Sequence, residues 1–322
     1  MRRLTRRVAL AGLMAAVSSL ASAQSVDPRA TLGALDQAFG GHQPGARAVH
    51  AKGLVVEGTF TPSPAAVGIS RAPHFLAAST PVTVRFSNFA GIPTQADGDA
   101  MASPRGMALK FHLADGTDTD IVAHSVNGFP VATAADFLAM VQSAAAHDLP
   151  TFLAAHPGAR AFEALPKPIP ASYAILGYFA VNAFRFVNAQ GQATLGRYRL
   201  VPEAGLALLA PNEAARRPAD YLAAEMARRL AQGPARFHLL LQVAAPGDRV
   251  DDATVAWPET RPQVDLGTLT LTGIAADQDF QQRTLLFLPG RLPVGIEPAD
   301  PMVDARTPIY GASFRRRMGE AG

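Results

Sequence analysis

Short runs of alternating apolar and polar residues dominate the chain from about residue 48, and stretches of helical spacing interrupt them. Residues 48–60 set Val49, Leu54, Val55, Val56 and Phe60 around Gly53 and Gly58, which reads as a strand with glycine bends. Residues 82–86 alternate Val, Thr, Val, Arg and Phe, a second strand. Residues 106–113 suit a third, and 120–122 open a fourth. Thr133-Ala134-Ala135-Asp136 is a capping box that starts a helix through Phe137, Leu138 and Val141, and 148–155 forms a short second helix. Strands resume at 183–187 and 195–201, separated by the turn signal Asn188-Ala189-Gln190-Gly191. A helix over 219–230 ends near Gly233, and 236–243 and 266–272 are long strands. The tail, 301–318, is helical, with Asp300 as N-cap and Pro301 in its first turn. Many strands at antiparallel spacing, with helices segregated between and after them, predict an α+β fold. A closed antiparallel β-barrel with flanking and C-terminal helices would hide the edges of so many strands. There is no internal repeat and no long linker, so residues 24–322 are expected to form a single domain.

The first residues follow a different pattern. Arg2, Arg3, Arg6 and Arg7 precede an apolar run from Val8 to about Leu20, and Ala21-Ser22-Ala23 offers a cleavage site. This is an export signal over residues 1–23, too short to span a bilayer comfortably. Thr5-Arg6-Arg7-Val8-Ala9-Leu10 is similar to a twin-arginine signal, and an ordinary secretory signal with a basic start fits equally. Either route predicts a periplasmic or secreted protein with no membrane anchor after cleavage. The formal charge of +3 comes from these four arginines. Without them Lys+Arg is 25 against 26 Asp+Glu, a formal −1, which gives no reason to expect nucleic acid as a partner. Hydrophobic residues make up 48% of the chain and charged residues 17%, enough apolar material for a large core. There is no cysteine, which excludes disulfides, thiolate zinc sites and iron–sulfur clusters.

Among eight histidines, His50 has the most distinctive company: Arg47 three residues before it and Lys52-Gly53 after it. A basic cluster of this kind is compatible with a solvated strand edge or with an anion clamp beside a pocket. Arg47-Ala48-Val49-His50-Ala51-Lys52-Gly53 resembles the Arg-x-x-His-Ala-Lys-Gly signature of the catalase family. Val84-Arg85-Phe86-Ser87-Asn88 is similar to that family's Val-Arg-Phe-Ser strand. Arg105 to Phe111 is similar to its next strand, and Asp120-Ile121-Val122 to the continuation. Arg306-Thr307-Pro308-Ile309-Tyr310 fits the family's Arg-x-x-x-Tyr motif. The four segments occur in the family's order and extend over nearly the whole chain after residue 24. The length matches the minimal group of catalase-related peroxidases.

The resemblance implies a non-covalent haem b, since no Cys-x-x-Cys-His is available to attach one. Tyr310 would bind the iron as phenolate, and Arg306 would supply the cation that keeps it ionised. His50 would move the peroxide proton, with Ser87 fixing its tautomer. Arg47, Arg85 and Arg317 would hold the haem carboxylates, although Arg315-Arg316-Arg317 also reads as a solvated basic tail. Phe129 would pack on the haem or belong to the core. Counting back from Pro130 puts Gly128 at the family's distal asparagine and Asn127 one residue away. A displaced amide predicts peroxide reduction with an external small reductant rather than true catalase turnover. Pro308 interrupts the regular turn expected between Arg306 and Tyr310. The resemblance leaves open a hydroperoxide-rearranging enzyme similar to allene oxide synthase. A carrier barrel for haem or an apolar ligand is the non-catalytic alternative, and it has no need of His50 and Ser87 together. A monomer or small homo-oligomer is expected.

Overall fold

Antiparallel pairing joins the alternating segments into a ring. The computed structural model describes residues 26–319, and the export signal read at 1–23 lies outside them. The strands are β1 (Gly53–Pro62), β2 (Thr80–Ser87), β3 (Gly106–His112), β4 (Asp118–His124), β5 (Tyr178–Val187), β6 (Ala193–Pro202), β7 (Ala235–Val243) and β8 (Gln263–Ile274). Each pairs with its neighbour in sequence, β8 returns to β1, and β4 meets β5 at His124 and Phe179. The short β9 (Ile296–Pro298) adds to the other end of β5. The expected α+β barrel is therefore present, and all eight expected strands contribute to it.

One face of every strand fills the barrel. Phe60, Phe86, Phe111, Phe186, Phe237 and Tyr178 are fully buried in a single cluster. Burial of each such ring contributes about 1.5–3 kcal/mol relative to exposure. Along β2, Val82, Val84 and Phe86 enter that cluster, so Arg85 and Ser87 point from the opposite face. Arg85 and Ser87 on that outer face are buried as well, because helices cover this end of β2. The cover includes the helices Pro28–Ala38, Ala134–Ala145 and Met302–Gly319, joined by Leu32, Leu35, Val141 and Ile309. The space between this face and its helical cover is the site described below.

The helix starts obey the expected chemistry. Thr133 accepts a hydrogen bond from the Asp136 N–H, and the Asp300 carboxylate accepts one from the Met302 N–H at 2.9 Å. The C-terminal helix runs through Pro308 without ending there. No helix among the described residues is long and apolar enough to cross a membrane.

His74 lies in the aromatic core against Phe75 and Phe111, and both its ring nitrogens lack a hydrogen-bond partner. Burial lowers its pKa from 6.5 to about 3. The unfolded chain therefore takes up a proton below about pH 6.5 that the folded chain refuses until about pH 3, and stability falls as pH falls across that window. His74→Leu is expected to raise stability at neutral pH by about 1 kcal/mol. It should also flatten the loss between pH 6.5 and 4. Urea unfolding at several pH values measures both effects, and a variant with unimproved stability and the same acid slope contradicts this account.

Candidate active site

Three strands, β2, β3 and β4, build one wall of the cavity, and β1 continues their rows. Gly53, Ser87, Gly106 and His124 are successive cross-strand partners on β1, β2, β3 and β4, so they occupy one row. The next row carries Val55, Arg85, Ala108 and Val122. His50 precedes β1 and lies over Gly106. A Cβ on Gly106 would collide with Ser87 Oγ and stand 2.9 Å from His50 Nδ1. The absence of a side chain there is what admits the imidazole. His50 has φ 57°, a left-handed conformation that few non-glycine residues adopt. Its N–H donates to the Phe89 carbonyl at 2.7 Å, and its carbonyl accepts from Arg85 at 2.8 Å. Ser87 Oγ stands 3.0 Å from His50 Nδ1, which leaves Nε2 for the cavity. Burial, with Arg85 and His124 nearby, lowers the His50 pKa to about 3, so the ring is neutral throughout the ordinary pH range.

The C-terminal helix supplies the opposite wall. The Arg306 guanidinium donates to the Tyr310 hydroxyl at 2.5 Å and to Asn182 Oδ1 at 2.7 Å. Asn182 in turn donates to Asp300 at 2.8 Å. Pro308 removes one helical hydrogen bond but leaves Arg306 and Tyr310 on the same face, so the expected pair survives the proline. Phe129 also lines the cavity, stacked on Phe137 with the Arg306 guanidinium 5.7 Å from its ring.

A third feature is a cluster of arginines. Arg47, Arg85 and Arg317 line the same cavity of about 520 Å³. Arg47 donates to the carbonyls of Gln282 and Leu285, and Arg317 donates to those of Arg283 and Leu285. These carbonyls belong to the open end of the helix Gln278–Thr284. Arg85 Nε donates to the Gln282 side chain at 2.6 Å. None of the three meets a carboxylate among the described residues. Burial and mutual repulsion push the Arg47 pKa well down, Arg85 falls to about 9, and burial takes Arg317 to about 10. Three cations held together in a largely apolar chamber are matched to an anionic ligand. A flat apolar group with two carboxylates, and a metal that accepts a phenolate, satisfies the arginines, the apolar walls and the Arg306–Tyr310 pair together. The residues present fit haem.

Most expected site residues converge here: Arg47, His50, Arg85, Ser87, Phe129, Arg306, Tyr310 and Arg317 all line the cavity. Arg317 is buried, so it is not part of a solvated tail, whereas its neighbour Arg316 pairs with Asp36 at 2.6 Å. Lys52 is a strut and not part of an anion clamp. It is 2.9 Å from Asp97 and donates to the Gln95 and Ala219 carbonyls. Asn127 is the correction. Its amide donates to Glu259 at 3.1 Å, and it does not line the cavity. Counting back from Pro130 crosses a loop, whereas counting along β4 in register reaches His124. His124, Phe137, Asn182 and Asp300 went unnoticed as site residues, and only the strand register of His124 carried a usable signal.

The catalase family model matches residues 36–321. A catalase-related peroxidase of Mycolicibacterium paratuberculosis (strain ATCC BAA-968 / K-10) is 40% identical over 87% of this chain and 91% of its own. A catalase-related peroxidase of Synechococcus elongatus (strain ATCC 33912 / PCC 7942 / FACHB-805) is 31% identical over 96% of this chain and 95% of its own. The crystal structure of a fungal catalase shares the fold, with a TM-score of 0.76 at 22% identity, over 86% of this chain and 60% of that one.

Gly106→Ala is expected to displace His50 and Ser87 while leaving the arginines and Tyr310 in place. Bound haem should be retained and the rate of peroxide consumption should fall at least about tenfold, the scale of a mispositioned acid–base group. Stopped-flow mixing with peroxide measures the rate. An unaffected rate means that the His50–Gly106 contact has no catalytic consequence.

Proposed function

Since the chain belongs to the catalase family, we propose that it is a haem b peroxidase that reduces hydrogen peroxide or organic hydroperoxides with an external small reductant and releases little oxygen from peroxide alone. The carrying observation is that His50–Ser87 and Tyr310–Arg306 line one cavity edged by three arginines that meet no carboxylate among the described residues. The chemistry a bound haem supplies is two-electron oxidation–reduction at iron. Tyr310 would hold the iron, and the Arg306 guanidinium, which donates to its oxygen at 2.5 Å, would hold that oxygen in place. Arg47, Arg85 and Arg317 would hold the carboxylates, and their repulsion is relieved when anions arrive.

His50 performs the proton transfer. As a neutral imidazole it takes the proton from one peroxide oxygen and returns it to the other, so that water or an alcohol leaves. Ser87 at Nδ1 holds the ring orientation during both steps. The expected amide faces Glu259 and not the cavity, which supports one-peroxide reduction over the disproportionation of two peroxides. Export to the periplasm or beyond is part of the proposal, supported by Arg2 to Arg7, the apolar run and Ala21-Ser22-Ala23.

The wild-type protein should carry a ferric phenolate-type haem spectrum that Tyr310→Phe removes. His50→Ala should keep haem and lose peroxide-driven dye oxidation by about a hundredfold or more. Because His50 is neutral above about pH 3, the proton-transfer step should hold its rate down to about pH 4 and decline only as pH approaches 3. Dye oxidation compared with oxygen release under the same peroxide tests the choice of reaction. Oxygen release that outpaces dye oxidation rejects it, and a purified protein that takes up no haem rejects the whole assignment.

A further inference from the structure

Residues 285–291 join the cavity to the sheet and form neither helix nor strand. Leu285, Leu286 and Phe287 line the cavity. On that side the Leu285 carbonyl accepts from Arg47 at 2.8 Å and from Arg317 at 2.9 Å. On the sheet side the Leu288 N–H donates to Asp120 Oδ2 at 2.8 Å. The Asp120 N–H and the Thr119 hydroxyl both donate to the Arg291 carbonyl, at 3.2 and 2.9 Å. Asp120 is buried on β4, and its Oδ1 accepts from Lys110, its cross-strand partner on β3, at 2.6 Å. The Arg291 guanidinium is 3.3 Å from Asp120, and both cations also face Asp118, at 3.5 and 3.7 Å. Two cations thus meet two carboxylates there, unlike the three arginines across the segment. A buried carboxylate keeps its charge only where donors replace its water, and both oxygens of Asp120 have them. The mechanism above gives this carboxylate no task.

Its influence reaches the arginines through a short length of chain. Three residues of extended backbone span at most about 11 Å, so fixing the Leu288 N–H confines the Leu285 carbonyl. The helix before Leu285 is tied to β1 through Gln278, seven residues back, and Asp120 is the nearer anchor. An arginine carries five N–H donors in one plane. Arg47 spends two nitrogens on the Gln282 and Leu285 carbonyls, which fixes the plane in which its other donors lie. Arg317 is set in the same way by the Arg283 and Leu285 carbonyls.

We propose that Asp120 is a positioning residue for the haem: it pins Leu288 to β4, holds the Leu285 carbonyl in place, and so aims Arg47 and Arg317 at the haem carboxylates. The proposal rests on the haem peroxidase reading above. Asp120 touches no ligand and takes no part in proton transfer.

Haem loss tests this without turnover. Haem-loaded protein mixed with excess apomyoglobin gives up its haem at a rate read from the visible spectrum. Asp120→Asn keeps the shape and removes the charge that Leu288 and Lys110 share. It should speed haem loss about tenfold or more, the scale of one charge-assisted hydrogen bond. The same measurement with haem dimethyl ester, whose carboxylates are neutral esters, isolates the arginines. Wild type should lose the ester faster than haem, and Asp120→Asn should change the ester rate less than about threefold. A general loosening of the fold would speed both losses by the same factor. If Asp120→Asn does not fold, Thr119→Val removes only the hydroxyl bond to the Arg291 carbonyl. It should give the same pattern with a haem acceleration of about threefold. Equal acceleration of haem and ester, or an unchanged haem rate, overturns the proposal and leaves the peroxidase assignment intact. A wild-type protein that takes up no haem overturns both.

Discussion

An imidazole resting on bare backbone is the contact from which this site is built. His50 lies over Gly106 with no room for a Cβ between them, and it holds a left-handed backbone conformation to do so. Gly53 makes the same concession on β1, where a side chain would collide with the Arg85 guanidinium. Arg85 then reaches the carbonyls of His50 and Ala51 and braces the strained segment. Two glycines in one row thus allow a base and a cation to occupy space that strand side chains normally fill.

That arrangement needs a sheet with two different buried faces. Inside the ring, rings of Phe and Tyr give the strands their stability. Outside, the alternate residues of β2, β3 and β4 are freed from core packing and covered by helices. Closure of β4 on β5 at His124 and Phe179 sets the edge of the chamber. Charge follows the same division. Arg47 and Arg317 are drawn to the carbonyl end of one short helix and Arg85 to its Gln282 side chain, which compensates only part of their charge, and the remainder is complementary to an anionic ligand.

The strands were legible because a period of two survives in any strand with one face in a core. The helix Pro28–Ala38 was not, since Gly33 and the small or polar residues around Leu32 and Leu35 blur its spacing. The helix Gln278–Thr284 was not, since none of its residues is buried and its role is to offer carbonyls. His50, Ser87, Arg306 and Tyr310 were legible as motif members with fixed spacing. Asn182 and Asp300, which orient Arg306, carry no motif and are 118 residues apart.

Sequence by itself determined the α+β class, the eight strands, the absence of thiol chemistry and eight of the residues that line the cavity. Only the tertiary structure decided which polar side chain completes the row beside Ser87 and Gly106. Asn127 and His124 are three residues apart in sequence, and a count back from Pro130 falls on Gly128, next to the first. The hydrogen-bond register of β3 against β4 favours the second, because cross-strand pairing and not distance along the chain determines which side chains share a face.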